Sequence, residues 1–290
     1  MEYRRLNLSD IEKIKPFLRY APTNTCDYTL GGVFMWRDYL QTQFCISGGV
    51  FYSKVRFNNE EYFSIPLAEN LPLAIDNLIK GNESNNLKFF AVPESVLSLF
   101  DCYRAEYRVT IEEDYGDYLY LAENFKSFAG KKYGGQRNLV HQFKRRYPDY
   151  VFAPISKDNV KEVIEFFEKE YLKNAGDARF EREENIKTRE VLENFSAYSF
   201  LGGVLKADGK IVGFSLAEKL GDTLFDHIEK ADRETKGAYQ TLVNEFAKAF
   251  AADCTFINRE EDMGDVGLKT SKLSYHPITV LKKYFVNLQK

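Results

Sequence analysis

Two consecutive mixed α/β domains, each with a mainly antiparallel sheet and joined by a basic helix, are what this sequence predicts. Three observations carry that prediction. At 290 residues the chain is about twice the length of a domain of ~150 residues. Its composition, 44% apolar with 19 Tyr and 24 Phe, supplies two cores and favours strands, because aromatic side chains fit a pleated, half-buried surface. Segments of period two and period 3.6 alternate along the chain, and one strongly basic stretch interrupts them. These place an N-terminal domain at 1–123, a basic linker helix at 124–148 and a C-terminal domain at 149–290.

The first domain opens with a strand-like YRRLNL. Ser9 then offers an N-cap, with Glu12 three residues on, before the helical IEKIKPFL. A polar and Gly-containing segment, TNTCDYTLGG, is followed by FMWRDYLQTQFCIS and by VFYSKVRF, whose alternation pairs it with EYFSIPL across Asn58–Asn59. LPLAIDNLIKG reads as a helix ended by Gly81. LKFFAVP is a buried strand, PESVLSLF a helix with Pro93 at its start, and YRAEYRVTIEE another strand.

Residues 124–148, NFKSFAGKKYGGQRNLVHQFKRRYP, hold seven basic residues and no acidic one in a chain of net charge −3. A basic band in an acidic protein implies an anionic partner or an acidic neighbour. From Gln136 it reads as a helix with Leu139, Val140, Phe143 and Tyr147 on one arc, and Arg137, His141, Lys144 and Arg145 on another face. Lys131–Lys132 precede it at a Gly134–Gly135 turn. The aromatics interleaved with the charges lie mostly on the apolar arc, where core packing is the simpler role. A solvated helix whose charges pair with acids of either domain is the bland alternative to nucleic acid.

The second domain begins with the strand YVFAPI, and Asp158 caps NVKEVIEFFEKEYLK. A second helix follows at REENIKTREVLENF. SFLGGVLKADGKIVGFSLAEKL is a hairpin turning at Asp208–Gly209. TLFDHIEKA is a strand, GAYQTLVNEFAKAF an amphipathic helix, CTFINRE a strand, and LSYHPITVLKKYFV a short helix and strand.

Several function classes lose support. The start carries no apolar stretch suited to a secretory signal, and no uncharged apolar run approaches the ~18 residues of a membrane-spanning helix. Cys26, Cys45, Cys102 and Cys254 are scattered without a CxxC pair, so four buried, reduced thiols in a cytoplasmic protein are expected. With only three histidines, far apart, no metal site is expected. GxSxG, Walker A and HExxH motifs do not occur.

The element order from 149 onward (strand, two helices, three antiparallel strands, a Gly-containing turn, helix, strand) resembles the GNAT acyltransferase fold. There, backbone N–H groups at a helix N-terminus bind a pyrophosphate. The matching turn is Arg233–Glu234–Thr235–Lys236–Gly237–Ala238–Tyr239, which makes Arg233, Lys236, Gly237, Ala238 and Tyr239 the candidate cofactor-binding residues. The usual pattern puts a small residue where this chain has Tyr239, and a bulky side chain there crowds coenzyme A. Four separated words, FDHIEKAD, KGAYQTLVNEF, INREEDMG and LKTSKLSYHP, together with the basic segment, resemble a bacterial family related to the C-terminal domain of phosphatidylglycerol lysyltransferase. That resemblance covers nearly the whole chain. It implies two tandem GNAT-like domains, an architecture shared with Fem-type transferases that take an aminoacyl group from tRNA.

The candidate site residues follow. Strand alternation puts His227 and Glu229 on one face, with Asp226 and Ile228 on the other, and a His beside a carboxylate suits removal of a proton from an attacking amine. A structural His–Glu pair is the alternative. Asn258, Arg259, Glu260, Glu261 and Asp262 follow a buried strand, where ligands gather in open sheets. Asn258 or Arg259 can hold an acyl carbonyl and Glu260 or Asp262 an ammonium, although Asp262 can also cap a helix. Tyr275 is a candidate general acid, Lys272 a phosphate contact, and His276 before Pro277 can simply close a turn. Lys131, Lys132, Arg137, His141, Lys144 and Arg145 are the nucleic-acid candidates.

Three functions are thereby expected in order. The first is transfer of an aminoacyl group from aminoacyl-tRNA to a small-molecule, peptide or lipid acceptor. The second is acyl-CoA-dependent N-acyl transfer, favoured by Lys236–Gly237 and disfavoured by Tyr239. The third is a GNAT-like binding protein without catalysis.

Overall fold

Fourteen strands and ten α-helices organise the described residues of the computed structural model, which are 1–82, 86–111, 113–172 and 179–288. The sequence-expected strand over 103–113 includes Glu112, and the expected helix over 159–173 includes Lys173; both lie outside the described residues.

The chain forms two units: residues 1–118, 261–269 and 280–290 make the first, and residues 119–260 and 270–279 the second. In the first, β1 (Arg4–Arg5), β2 (Gln43–Ser47), β3 (Val50–Phe57), β4 (Glu60–Phe63), β5 (Leu87–Pro93), β6 (Tyr107–Ile111) and β14 (Lys283–Leu288) form a sheet in the order β1-β2-β3-β4-β5-β14-β6. The β3–β4 hairpin turns at Asn58 and Asn59, both with positive φ (49° and 65°). That is the left-handed pair a two-residue hairpin requires, and Asn tolerates it better than most residues. Helices α1 (Ile11–Ile14), α2 (Leu30–Met35) and α3 (Leu71–Lys80) belong to this unit. The Asn70 side chain caps α3 by accepting from the Leu73 N–H, and Gly81 closes it as expected. The N-cap expected at Ser9 falls instead at Asn7, which forms a capping box with Asp10. Asp10 is also held by Arg4 at 2.6 Å, so the turn is fixed two residues earlier than the Ser-x-x-Glu pattern indicates.

In the second unit, β7 (Asp117–Leu121), β8 (Val151–Pro154), β9 (Leu201–Ala207), β10 (Lys210–Leu220), β11 (Thr223–Ala231), β12 (Phe256–Asn258) and β13 (Thr279–Leu281) are ordered β13-β7-β12-β11-β10-β9-β8. The helices are α4 (Ala122–Ser127), α5 (Gly134–Arg146), α6 (Val160–Phe167), α7 (Arg179–Glu193), α8 (Phe195–Tyr198) and α9 (Ala238–Phe250), while α10 (Val266–Ser274) is divided between the stretches 261–269 and 270–279. The β9–β10 hairpin turns at Asp208–Gly209, both at positive φ, as the dipeptide predicts. Asp158 does not cap α6; the cap position is Asn159, whose side chain accepts from the Ser156 N–H at 2.8 Å.

Sequence order and sheet membership part company at two strands. The last strand, β14, lies between β5 and β6 of the first sheet, Val286 pairing with Phe89 on one side and Val109 on the other. The early strand β7, which the sequence reading left unassigned, pairs antiparallel with β12, Tyr120 opposite Ile257. A division at 123 and 149 therefore follows element order but does not separate the units. The basic helix α5 is likewise part of the second unit, where the buried Phe143 packs with Leu205, Ala207, Val212, Ala231, Ala238 and Leu242. Burial of a side chain of that size contributes about 1.5–3 kcal/mol, enough to hold α5 as core and not as a spacer.

Candidate active site

A β-bulge sets the geometry of the second unit. Along β10 and β11 the register pairs Leu216 with Ile228 but Ala217 with Asp226, leaving His227 as the extra residue. A bulge breaks the alternation of side chains. The expected sharing of a face by His227 and Glu229 is corrected accordingly: Glu229 groups with Asp226, and His227 turns to other partners.

Those partners are Glu218, 2.8 Å from Nε2, and Glu260, 2.6 Å from Nδ1. The ring also stacks on Phe200 at 5.1 Å, and the His227 side chain is 1% exposed. Burial alone pushes the imidazole pKa down, but the hydrogen bonds and charges of the two carboxylates overcome it and raise the value to about 10. An imidazolium at neutral pH has no lone pair to accept a proton, so the base role expected of His227 does not fit this environment. Unfolded, the ring titrates near 6.5. Its stabilisation is thus complete below about 6.5 and disappears as pH rises through about 10. Melting temperatures should fall from pH 7 to pH 10, and His227→Gln should melt lower at pH 6.5 and lose that slope. A slope unchanged by the substitution would show that the imidazolium does not hold the bulge.

Glu229 meets Arg259 in a close ion pair, their side chains 14% and 9% exposed. Arg259 continues over the rings of Tyr275 (4.7 Å) and Phe125 (5.7 Å), and Lys272 donates to the Arg259 carbonyl at 2.5 Å. Burial raises the Glu229 carboxyl pKa, but the Arg259 charge lowers it further, so Glu229 is held ionised. Asp226 goes the other way: burial and then the negative charge of Glu229 push it well above the usual carboxylate range. The Ser215 hydroxyl donates to it at 2.7 Å. One carboxylate and one carboxylic acid thus stand together, the pattern that separates base from acid. The Asp226 carboxyl hydrogen bonds to Glu229, while Arg259 Nη1 is shielded from solvent and has no hydrogen-bond partner. Buried polar groups in that state cost about 1–3 kcal/mol each unless something fills them. An open guanidinium N–H beside a hydrogen-bonded acid–carboxylate pair suits a ligand carrying a carbonyl.

The other sequence candidates are placed as follows. The Asn258 side-chain oxygen accepts from the Glu260 N–H at 2.7 Å, so it shapes the turn that gives Glu260 its left-handed φ of 56°. Asp262 belongs to the first unit, accepting from the Tyr118 hydroxyl at 2.5 Å and the Gly264 N–H at 2.9 Å; it is Asp265 that accepts from Leu268 N–H in α10. Tyr275 is buried and its hydroxyl pKa is raised to about 12, by burial and by Glu229 against the opposing charge of Arg259. Arg233 and Lys236 are exposed. Between them the Asp232 carboxylate accepts from the Glu234 N–H (2.9 Å) and the Thr235 hydroxyl (2.5 Å), and the Ala238 N–H is spent on Thr235. Gly237 sits at φ 82°, and a Cβ there would come 2.4 Å from the Leu139 carbonyl oxygen of α5. Tyr239 hydrogen bonds to Tyr171 at 3.1 Å. On the basic band Lys131, Lys132, His141 and Arg145 are exposed. Lys144 pairs with Glu245 at 2.7 Å, and Arg137 donates to the carbonyls of Phe128 and Gly130.

A second cluster, in the first unit, escaped the sequence reading. Lys283 Nζ lies 2.7 Å from Asp117, 2.8 Å from Asp27 and 3.5 Å from Glu261, and 3.4 Å from Cys26 Sγ. Cys26 N–H also donates to Asp117 at 2.6 Å. Cys26, Asp117 and Glu261 bring ligand-type atoms within 4.8 Å of one another, and the Lys283 ammonium stands among them. Of the four cysteines, Cys102 is exposed, which corrects the expectation that all are buried; the thiols are free.

Asp226, Glu218 and Lys283 are the functional candidates missed from sequence. Glu218 was within reach, because a tight β10–β11 hairpin brings it beside the bulge. The others depend on a bulge and on a strand exchange that leave no local pattern.

The described residues thus form two mixed α/β units, the second holding a buried acid–carboxylate–guanidinium group. Over residues 18–287 the chain matches the family described as phosphatidylglycerol lysyltransferase, C-terminal, and it belongs to that family. A conserved protein of unknown function from Bacteroides thetaiotaomicron superposes with a TM-score of 0.89 at 29% identity, covering 100% of both chains. The L-PGS structure from Bacillus licheniformis gives 0.66 at 17% identity, over 96% of this chain and 91% of that one. FemX gives 0.52 at 8% identity, over 99% and 97%; these last two are likenesses of fold. An uncharacterised protein of Mycoplasmoides gallisepticum is 23% identical over 222 residues, 76% of this chain and 72% of its own. Among the described residues no helix is long and apolar enough to cross a membrane.

Proposed function

We propose that this protein transfers an aminoacyl group from aminoacyl-tRNA to an amine or hydroxyl acceptor by direct attack in the second unit. The observation that carries the reading is the buried Asp226–Glu229–Arg259 group, an acid–carboxylate pair beside an open guanidinium donor. Arg259 Nη1 holds the acyl oxygen as it gains charge. The acceptor's nitrogen or oxygen forms the new bond to the acyl carbon while its proton passes to Glu229. The ester bond to the tRNA 3′-oxygen breaks, and Asp226 protonates that oxygen. Proton exchange between the two carboxyls then restores the starting state, with no covalent enzyme intermediate.

The tRNA donor is favoured over acyl-CoA by the turn before α9. A pyrophosphate there would meet the Asp232 carboxylate and find the N–H of Glu234 already engaged. The exposed Lys131, Lys132 and Arg145 remain open to phosphates. The family name supplies a lipid acceptor, but nothing in this site selects lipid over another amine or hydroxyl. Transfer of radiolabelled amino acid from charged tRNA into a cell extract tests the reaction; no transfer with any charged pool, together with stabilisation by an acyl-CoA, would replace it with the coenzyme A reading. Binding of tRNA should weaken steeply with salt, and alanine at Lys131, Lys132 or Arg145 should each lower the log–log salt slope by roughly one. Lys144→Ala should change that slope little, because its charge is committed to Glu245.

A further inference from the structure

His276 is a residue that the proposed chemistry leaves unused, and its surroundings are specific. Its Nε2 lies 3.0 Å from the Lys132 carbonyl oxygen, so that nitrogen carries the proton and donates. Its ring meets Tyr133 edge-on at 5.3 Å. The Tyr133 hydroxyl donates to the Tyr275 carbonyl at 3.1 Å, and Gln136 donates to the Ser274 carbonyl at 2.8 Å. Three successive residues, Ser274, Tyr275 and His276, are therefore each tied to the basic segment at Lys132–Gln136. On its other side the Tyr275 ring stacks on Phe125 at 5.4 Å and lies under the Arg259 guanidinium at 4.7 Å. His276 holds φ at 54°, a left-handed conformation that costs about 1–3 kcal/mol in a non-Gly residue and persists only where neighbours enforce it.

We propose that His276 is a positioning residue that couples the exposed Lys131–Lys132 surface to the Tyr275–Arg259 site, so that a polyanion bound on the basic segment fixes the segment that carries Tyr275. The coupling runs through contacts in one unit: Lys132 to His276, His276 to its neighbour Tyr275, and Tyr275 to Arg259. A rigid chain of this kind is the physical requirement for two sites to bias each other. The proposal rests on the nucleic-acid reading of the basic band but not on the transfer reaction.

The test compares wild type with two variants. His276→Asn tolerates the left-handed backbone, since Asn is among the residues enriched there, but is too short to reach Lys132. His276→Gln keeps an N–H at nearly the position of Nε2. Hydrogen exchange read by mass spectrometry follows peptides across 270–279, with and without bulk uncharged tRNA. Wild type and His276→Gln are expected to gain protection there on adding tRNA. His276→Asn should bind tRNA with a dissociation constant within about twofold of wild type, as its exposed phosphate contacts are intact, yet gain no such protection. Where transfer is measurable, its kcat should drop about tenfold with KM for charged tRNA unchanged, the pattern of a misplaced group. Full protection in His276→Asn overturns the proposal. So does wild-type tRNA binding without protection at 270–279, and so does absence of tRNA binding. Absence of transfer with the protection pattern intact would instead overturn the reaction and leave the coupling standing.

Discussion

Lys283→Met is expected to lose about 3–5 kcal/mol of folding stability, the usual cost of removing one partner from a buried ionic network. Lys283 is 3% exposed and Asp117 0%, so neither end can turn to water. In the wild type, burial lowers the ammonium pKa, but Asp117, Asp27, Cys26 and Glu261 more than reverse this and hold Lys283 charged. Burial and the neighbouring carboxylates keep Asp27 above the ordinary carboxylate range even with the lysine present. Without it, Asp27 loses the charge that lowers it and is raised further in the fold relative to the unfolded chain. Groups raised in this way stabilise at low pH and destabilise as pH rises, so the deficit should deepen between about pH 4 and pH 8. Urea titrations at the two ends of that range measure it. A midpoint equal to wild type at pH 8 would mean that the cluster is solvated and that its charges are worth little.

Glu229→Gln should reduce aminoacyl transfer by about 10²–10⁴, the range for loss of a positioned general base. The amide keeps the shape and an oxygen facing Arg259, so melting should change far less than rate. Charged tRNA should bind as before, because the phosphate contacts proposed for it lie on the basic band. Asp226→Asn leaves an N–H donor but no transferable proton, and it should slow the leaving step without removing the acceptor's base. Single-turnover rates of the two variants separate these roles. Transfer at the wild-type rate in Glu229→Gln would move the chemistry away from this carboxylate.

Much of the fold was legible because it is written locally. Asp208–Gly209 and Asn58–Asn59 are turn dipeptides whose left-handed geometry no neighbour has to impose, and both turns form as read. Asn70 and Gly81 bracket α3 in the same way. The departures occur where distant residues decide. Strand β7 was overlooked because its pairing partner β12 lies about 135 residues away. Alternation around His227 was misjudged because a bulge adds one residue on β11 and reverses everything after it. Of the residues in the candidate site, Glu229 is singled out in sequence by alternation along its strand, Glu260 by following a strand end and Tyr275 by the closing segment. The identity of each one's partner is not, since Glu218, Arg259 and Asp226 are selected by register and not by spacing.

The interior position of β14 also bears on how the chain is made. On a ribosome, β1 to β6 emerge long before Lys283, and until residues 283–288 arrive β5 and β6 have no strand to join them. The two edges that later flank β14 stay bare through the synthesis of some 170 residues, including nearly all of the second unit. Exposed strand edges recruit other chains, and long-range pairings form slowly. The nascent protein should therefore depend on chaperone cover for most of its translation, and a stop codon placed just before Lys283 should leave a soluble second sheet attached to a first half that aggregates.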